Sequence, residues 1–373
     1  MSRTIDQSRT TIGLPLEQDI PARSEAILMG LGHAQPSIRL SQHESETRIA
    51  TALKLTNDRR DRWRRIIKGS GIEHRTIAMD IEQVIDLGTA ERMQAYERLA
   101  PPLGEESSRR ALASSGIVPE KITDLIVVSC TGFAAPGLDT SLVERLGLSR
   151  SVRRTVIGFM GCYGGIVGLR QASAICRADP MARALVVCVE LCSLHVRNDP
   201  RGDNLVSLAL FADGAAAAVV RGSDDRDHID SRTQSGGIGS LTRGSSLLIP
   251  EGREWMTWNV TDTGFAMTLT RDVPVVLRRR LRSFVANIQS PTPKTYAIHP
   301  GGPGILQAVD DALELKGGFG LQAARRVLRD HGNMSSGTVL VVLEELRRNE
   351  RELPITLLAF GPGLTVEEIS LIA

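Results

Sequence analysis

Apolar positions along the chain fall into two textures. One is the short unbroken run closed by glycine or a turn: "KITDLIVVSCTG" (121–132), "ARALVVCVEL" (182–191), "KTYAIHPGG" (294–302), "PITLLAFGPG" (354–363) and the closing "LTVEEISLIA" (364–373). Runs of this length, rich in β-branched residues, predict strands buried on both faces. The other texture has helical spacing. It covers "SLVERLGL" (141–148), "GCYGGIVGLRQASAICRADP" (161–180), stopped before Pro180, and "GNMSSGTVLVVLEELRR" (332–348), which has a small-residue start. "SLALFADGAAAAVVRG" (207–222) reads as a helix end, a turn and a strand of small residues. Strands alternating with helices predict an α/β fold, a parallel or mixed sheet covered by helices.

The flanking regions are less regular. Residues 1–50 predict a short strand, a helix and a wrapping loop, and residues 51–70 a charged helix. Residues 86–116 predict a long helical region that Pro101-Pro102 breaks or restarts. Segments 224–240 and 242–264 predict a surface excursion with hairpin-like pieces. "SGGIGS" (235–240) lacks the lysine and the strand–helix setting of a phosphate loop and reads as a turn. An offset of 171 residues separates Cys162 from Asn333, Ala184 from Ile355 and Val128 from His299. One spacing for three landmarks predicts an internal duplication, divided as 1–222 and 223–373, with Cys162 and Asn333 at equivalent helix mouths.

Composition narrows the function. The 45 basic residues nearly balance 43 acidic ones, which gives no reason to expect a nucleic-acid partner. No stretch approaches the roughly 18 apolar residues of a membrane span, and the N-terminus reads without a secretory signal, so the expectation is a cytoplasmic protein. Five scattered cysteines are not a disulfide framework, and no spacing suggests a metal site.

Candidate chemistry centres on Cys162, set among Gly161, Gly164 and Gly165 at the mouth of a helix, where the backbone dipole favours a thiolate. His299 ends a buried strand and Asn333 follows Gly332 at the other helix mouth. A Cys–His–Asn set suits carbon–carbon bond formation from thioesters. The thiolate takes up an acyl group, the imidazole stabilises that thiolate, and His and Asn donate to the enolate oxygen formed when a malonyl thioester loses CO2. A papain-like hydrolase uses the same residue types, but the α/β texture and the absence of "CGSCW" argue against it.

"GCYGG" around Cys162, "ALFADGAAA" around Phe211, "IHPGGPGIL" around His299, "GNMSS" around Asn333 and "AFGPGLTVE" near the end together resemble the type III polyketide synthases, the chalcone-synthase-like enzymes of the thiolase superfamily. The resemblance implies a duplicated, layered αβαβα fold of two pseudo-equivalent halves, each with a mixed sheet covered by helices. It implies an acyltransferase that loads an acyl-CoA starter on Cys162, decarboxylates malonyl-CoA with His299 and Asn333, condenses iteratively and closes a pyrone or a resorcinol- or phloroglucinol-type ring. It assigns Phe211 to a gate between a CoA tunnel and an inner cavity, with Met267 where plant members carry a second phenylalanine. Cavity positions fall on Cys130, Thr131, Cys192, His195 and Ser335, and Ala135 would reach a partner subunit's cavity, implying a homodimer. Arg65, Lys68 and Gly304 are the expected CoA contacts, with no bound cofactor, and Glu190 is a structural carboxylate. A single-condensation ketosynthase and a non-catalytic acyl-CoA-binding protein remain as alternatives.

Overall fold

The computed structural model describes residues 24–199, 201–224, 237–288, 290–315, 321–349 and 352–373. The described chain opens with β1 (Ala26–Ala34), β2 (Ile38–Ser41), α1 (Gln42–Ala52), α2 (Asn57–Lys68), β3 (His74–Ile77), α3 (Ile81–Val84) and α4 (Thr89–Ser115). Then come β4 (Asp124–Ser129), α5 (Leu138–Leu146), β5 (Arg153–Gly158), α6 (Gly164–Ala178), β6 (Arg183–Leu191), α7 (Gly202–Leu210) and β7 (Asp213–Gly222). The remainder comprises β8 (Gly239–Leu241), β9 (Ser245–Leu248), β10 (Met256–Thr261), β11 (Gly264–Leu269), α8 (Val273–Ala286), β12 (Thr295–Ile298), α9 (Pro303–Leu313), α10 (Leu321–His331), α11 (Thr338–Arg348), β13 (Ile355–Gly361) and β14 (Thr365–Ile372).

The main sheet runs β12-β13-β14-β8-β1-β7-β6-β4-β5, with β9 added on β14; short β8 bonds both β1 and β14 and so joins the two halves. The unbroken apolar runs are explained by burial on both faces. In β4, Ile126 and Val128 enter one core while Leu125 and Val127 enter another. In β6, Val186 and Cys188 alternate likewise with Val187 and Val189. Helix α4 covers β1, β6 and β7 on the outer side. Helices α6 and α11 each touch strands of both halves and form the central layer of the αβαβα stack. There a Cβ on Gly165 would lie 2.3 Å from the carbonyl oxygen of Ser336, so only glycine lets the central segments approach this closely.

The duplication is written in strand register. Parallel pairing matches Asp124 with Ala184 in one half and Thr295 with Ile355 in the other, each pair displaced by 171. The helix mouths do not share that offset. Tight 3-10 turns at Gly161–Tyr163 and Ser335–Gly337 precede α6 and α11, which places them 335 − 161 = 174 apart. Cys162 therefore corresponds to Ser336, and Asn333 lies before the second turn. The expected equivalence of Cys162 and Asn333 is corrected on this point.

Two other expectations change. Helix α4 continues through Pro101 and Pro102 without breaking. The carbonyls these prolines leave without helical donors belong to Glu97 and Arg98, both exposed residues, so water can satisfy them. The helix expected from residue 332 begins only at Thr338, after an irregular 332–334 segment, with Gly332 at φ +75°, and the turn. The 242–264 excursion contains β9 and β10, and β10 forms a hairpin with β11. Most of the 224–240 segment and the first 23 residues lie outside the described residues.

Candidate active site

Cys162 sits in the turn that opens α6 and is 7% exposed. Gly161 makes that turn possible: its φ is +71°, and a Cβ there would meet Pro362 at 2.6 Å. Ser335 and Asn333 lie beside Cys162, and both side chains act to lower the pKa of its thiol. The side-chain oxygen of Asn333 accepts from the Ser335 N–H at 2.9 Å, which leaves its amide NH2 free to donate. Ser335 holds a left-handed backbone (φ +47°), a strained conformation for a residue with a side chain. Asn333 is fixed by its main chain: its N–H donates to Leu210 O at 3.0 Å, and Ala212 N–H donates to its carbonyl at 2.9 Å.

His299 ends β12, with its N–H on Leu358 O of β13 at 2.8 Å. Farther along β13, a Cβ on Gly361 would lie 3.4 Å from the Cys162 nitrogen, so strand end and turn converge. The imidazole is 1% exposed, and neither ring nitrogen has a hydrogen-bond partner. Buried polar atoms are rarely left so, and two on one ring mark a place for a proton or a substrate oxygen.

Burial sets the resting charges. It pushes the Cys162 thiol up to about 12, with Glu190 adding to the rise and Ser335 and Asn333 opposing it; it pushes His299 down to about 3. The expected bias of the helix mouth toward thiolate is thus outweighed in the unliganded site. Glu190 itself is fully buried, and burial raises it. It gathers the neighbourhood by accepting from Cys130 N–H at 3.1 Å, Thr131 Oγ1 at 2.8 Å and Ser336 Oγ at 2.5 Å. Cys130 Sγ lies 3.3 Å from Ser335 Oγ, so Cys130 and Ser335 stand together beside Cys162, with Thr131 joined to them through Glu190.

Cys192, His195, Phe211 and Met267 line a separate inner cavity of about 40 Å³, together with Trp258, Phe265 and Arg75. His195 is a fixed wall there. Its Nδ1 accepts from Phe265 N–H at 3.1 Å, so Nε2 carries the proton and donates to Thr131 O at 2.7 Å. The ring stacks on Phe265 at 4.0 Å, and burial lowers its pKa to about 3. Outside lies a cleft of about 430 Å³ bounded by Arg62, Arg65, Arg271 and the Gly301–Ile305 segment, which includes Gly304. The end of α7 separates the two spaces: Val206, Ala209 and Leu210 face the cleft, while Ser207, Leu208 and Phe211 face the cavity. On β11, Leu269 faces the cleft and Met267 the cavity.

Lys68 does not line that cleft; it borders a neighbouring depression with Gln42, Glu46 and Arg64. Helical periodicity accounts for this. Residues 62, 65, 66 and 69 share one face of α2, and position 68 points off it. The same spacing within "RRDRWRR" was the signal for Arg62; Arg271 carried none. Ala135 is exposed on the loop after Thr131 and touches neither space.

This geometry has relatives. The family description "Chalcone and stilbene synthases, N-terminal domain" matches residues 16–225, and its C-terminal counterpart matches 240–373. A 1,3,6,8-tetrahydroxynaphthalene synthase from Streptomyces peucetius subsp. caesius is 35% identical over 348 residues, covering 91% of this chain and 90% of that protein. Probable polyketide synthase 1 of Dictyostelium discoideum is 28% identical across 93% of this chain, which spans only 11% of that protein. The crystal structure of the C-terminal type III polyketide synthase domain of Steely1, a type I/III hybrid from Dictyostelium, has a TM-score of 0.84 at 26% identity, covering 94% of this chain and all of that one. The structure of PKS-I from the brown alga Ectocarpus siliculosus has a TM-score of 0.85 at 27% identity, covering 96% of this chain and all of that one. With family descriptions matching both halves and a relative 35% identical along nearly its whole length, the chain belongs to the chalcone and stilbene synthase family, the type III polyketide synthases.

Proposed function

We propose that Cys162 carries the acyl chain and that His299 and Asn333 serve the decarboxylation and oxyanion steps, within the division 1–222 and 223–373. What supports this reading is a buried His299 imidazole with neither nitrogen partnered, together with an Asn333 carboxamide beside Cys162. The acyl-CoA enters along the cleft, its phosphates near Arg62, Arg65 and Arg271. Cys162 gives its proton to His299 as it attacks the thioester, so the two charges that burial opposes singly form as a pair; the C–S bond to CoA then breaks and the proton leaves on the CoA thiol. Malonyl-CoA enters next. Its C–C bond to the carboxylate breaks, CO2 leaves, and the electron pair forms an enolate whose oxygen takes hydrogen bonds from Asn333 and His299. The enolate carbon attacks the Cys162 thioester and displaces the Cys162 sulfur, and juxtaposition replaces a bimolecular encounter. The lengthened chain then sits on CoA and returns to Cys162 by a further thioester exchange that frees CoA. The chain grows past Phe211 and Met267 into the inner cavity, where it closes to a pyrone or a resorcinol- or phloroglucinol-type ring. No cofactor enters these steps.

We further propose a homodimer. Edge strand β5 is exposed along most of its length, and Val156 (61%), Phe133 (53%) and Phe159 (42%) form an apolar patch beside Ala135. No helix among the described residues is long and apolar enough to cross a membrane, and a cytoplasmic location is the proposed setting.

A panel of acyl-CoA starters with malonyl-CoA, read by mass spectrometry, tests the reading. Products extended by more than one malonyl unit are expected. Products of a single condensation would instead make the chain a ketosynthase. The Streptomyces relative's name favours one particular product class, a tetrahydroxylated naphthalene, which would emerge from malonyl-CoA alone.

A further inference from the structure

Arg75 is a buried cation, 4% exposed, on β3, which pairs with β2 in a two-stranded sheet outside the main sheet. A charge in such a place persists only when its donors are used. Here they are. Nη1 donates to the carbonyls of Leu208 and of Phe211 (3.0 Å), Nη2 to Oε1 of Gln42 at 3.1 Å, and Nε to Ser45 Oγ at 3.2 Å. Burial lowers its pKa only to about 10, with Asp213 opposing, so the guanidinium stays charged at neutral pH.

Its stem reaches the other half of the molecule. A Cβ on Gly332 would lie 3.4 Å from the Arg75 Cβ and 2.8 Å from the Ala212 Cβ, and Gly332 immediately precedes Asn333. The main chain of Asn333 is paired with Leu210 and Ala212, which flank Phe211. The segment whose carbonyls Arg75 holds is therefore the segment on which Asn333 rests. Neighbours on β3 add to the clamp. Thr76 Oγ1 donates to Asp213 O at 2.9 Å, Ala78 N–H donates to Asp213 Oδ2 at 2.7 Å, and Glu73 N–H donates to Arg329 O of α10 at 2.8 Å. Cys162 has different supports, the Gly161 turn and Pro362.

We propose that Arg75 is a positioning residue for the decarboxylation step, holding the Phe211 partition and the Asn333 carboxamide in one frame through the 208–213 segment and Gly332. This rests on the proposed roles of Cys162, His299 and Asn333. It predicts that loosening Arg75 lowers one readout and leaves the other, whereas a general loss of structure would expose the buried thiol and raise its alkylation while CO2 release fell. One is the extent of Cys162 alkylation by iodoacetamide, located by peptide mass mapping. The other is CO2 release from malonyl-CoA. Arg75→Lys in the full chain is expected to leave the alkylation extent at the wild-type level and to lower the maximal rate of CO2 release by about tenfold or more, with little change in KM. Gln42→Ala, which removes one of the partners, is expected to lower it about threefold. Arg75→Lys alkylated like wild type and releasing CO2 at the wild-type rate overturns the proposal; so does a rise in Cys162 alkylation accompanying the fall in CO2 release. Should Arg75→Lys fail to fold, a wild-type rate of CO2 release in Gln42→Ala overturns it. Wild-type protein that is alkylated at Cys162 but releases no CO2 overturns the underlying reading of the site instead.

Discussion

The two halves share a sheet plan and differ at its edges. Strands β4 and β6 repeat as β12 and β13 in the same register, yet the connections leaving β6 and β13 are unlike. After β6 the chain makes a long excursion, Cys192 to Ala212, that carries α7 and Phe211. After β13 it turns back within Pro362–Leu364. At the helix mouths the first half carries Cys162, the proposed nucleophile, while the second uses the matching Ser336 to anchor buried Glu190. The groups proposed to act from the second half, Asn333 and His299, come instead from segments before its helix and after its strand. Duplication preserved the strands, whose two buried faces tolerate little change, and left the connections free to diverge.

Exchanging roles between equivalent positions tests that contrast most severely. Cys162→Ala should abolish acyl-enzyme formation, followed by mass spectrometry of the intact protein. Ser336→Ala should keep it and cost about 1–2 kcal/mol of stability, because a hydrogen bond to Glu190 is lost. Acylation surviving in the first variant would place the nucleophile elsewhere.

The contact between the central segments is the next target. Gly165→Ala puts a methyl group 2.3 Å from Ser336 O and should destabilise the fold by roughly 2–3 kcal/mol in denaturant unfolding. A neutral result would mean that the halves can slide apart without cost.

The mildest effect concerns a wall rather than the chemistry. Burial lowers His195 from 6.5 to about 3 in the folded chain. Below its ordinary pKa the unfolded chain takes up a proton that the folded chain refuses. The stability of the folded state is therefore complete above about pH 6.5 and is lost as pH falls toward 3. Between about pH 8 and pH 5 the stability advantage of wild type over His195→Gln should shrink by about 2 kcal/mol. An unchanged gap would show that the imidazole is protonated in the fold.

Much of this was legible in the chain. β4, β6, β13 and β14 were readable because strands buried on both faces leave unbroken apolar runs. Cys162, His299 and Asn333 stood out because each borders a glycine-marked turn at a strand end or a helix mouth. Less was legible where the cause is tertiary. The 174-residue offset of the helix mouths depends on backbone turns, and the unbroken α4 depends on where its freed carbonyls face. The placement of Lys68 beside the cleft rather than in it was not legible, because a basic run does not say which of its residues share a face. Arg75 and Asp213 carry no signal until β3 is seen against the end of α7.

The central claim is a division of labour around one sulfur, and Asn333→Ala tests it most directly. The account predicts acylation of Cys162 by a CoA starter to the wild-type extent. It also predicts that CO2 release from malonyl-CoA falls by roughly 10²–10³-fold, the loss typical of removing one oxyanion donor. Wild-type CO2 release from this variant would contradict it.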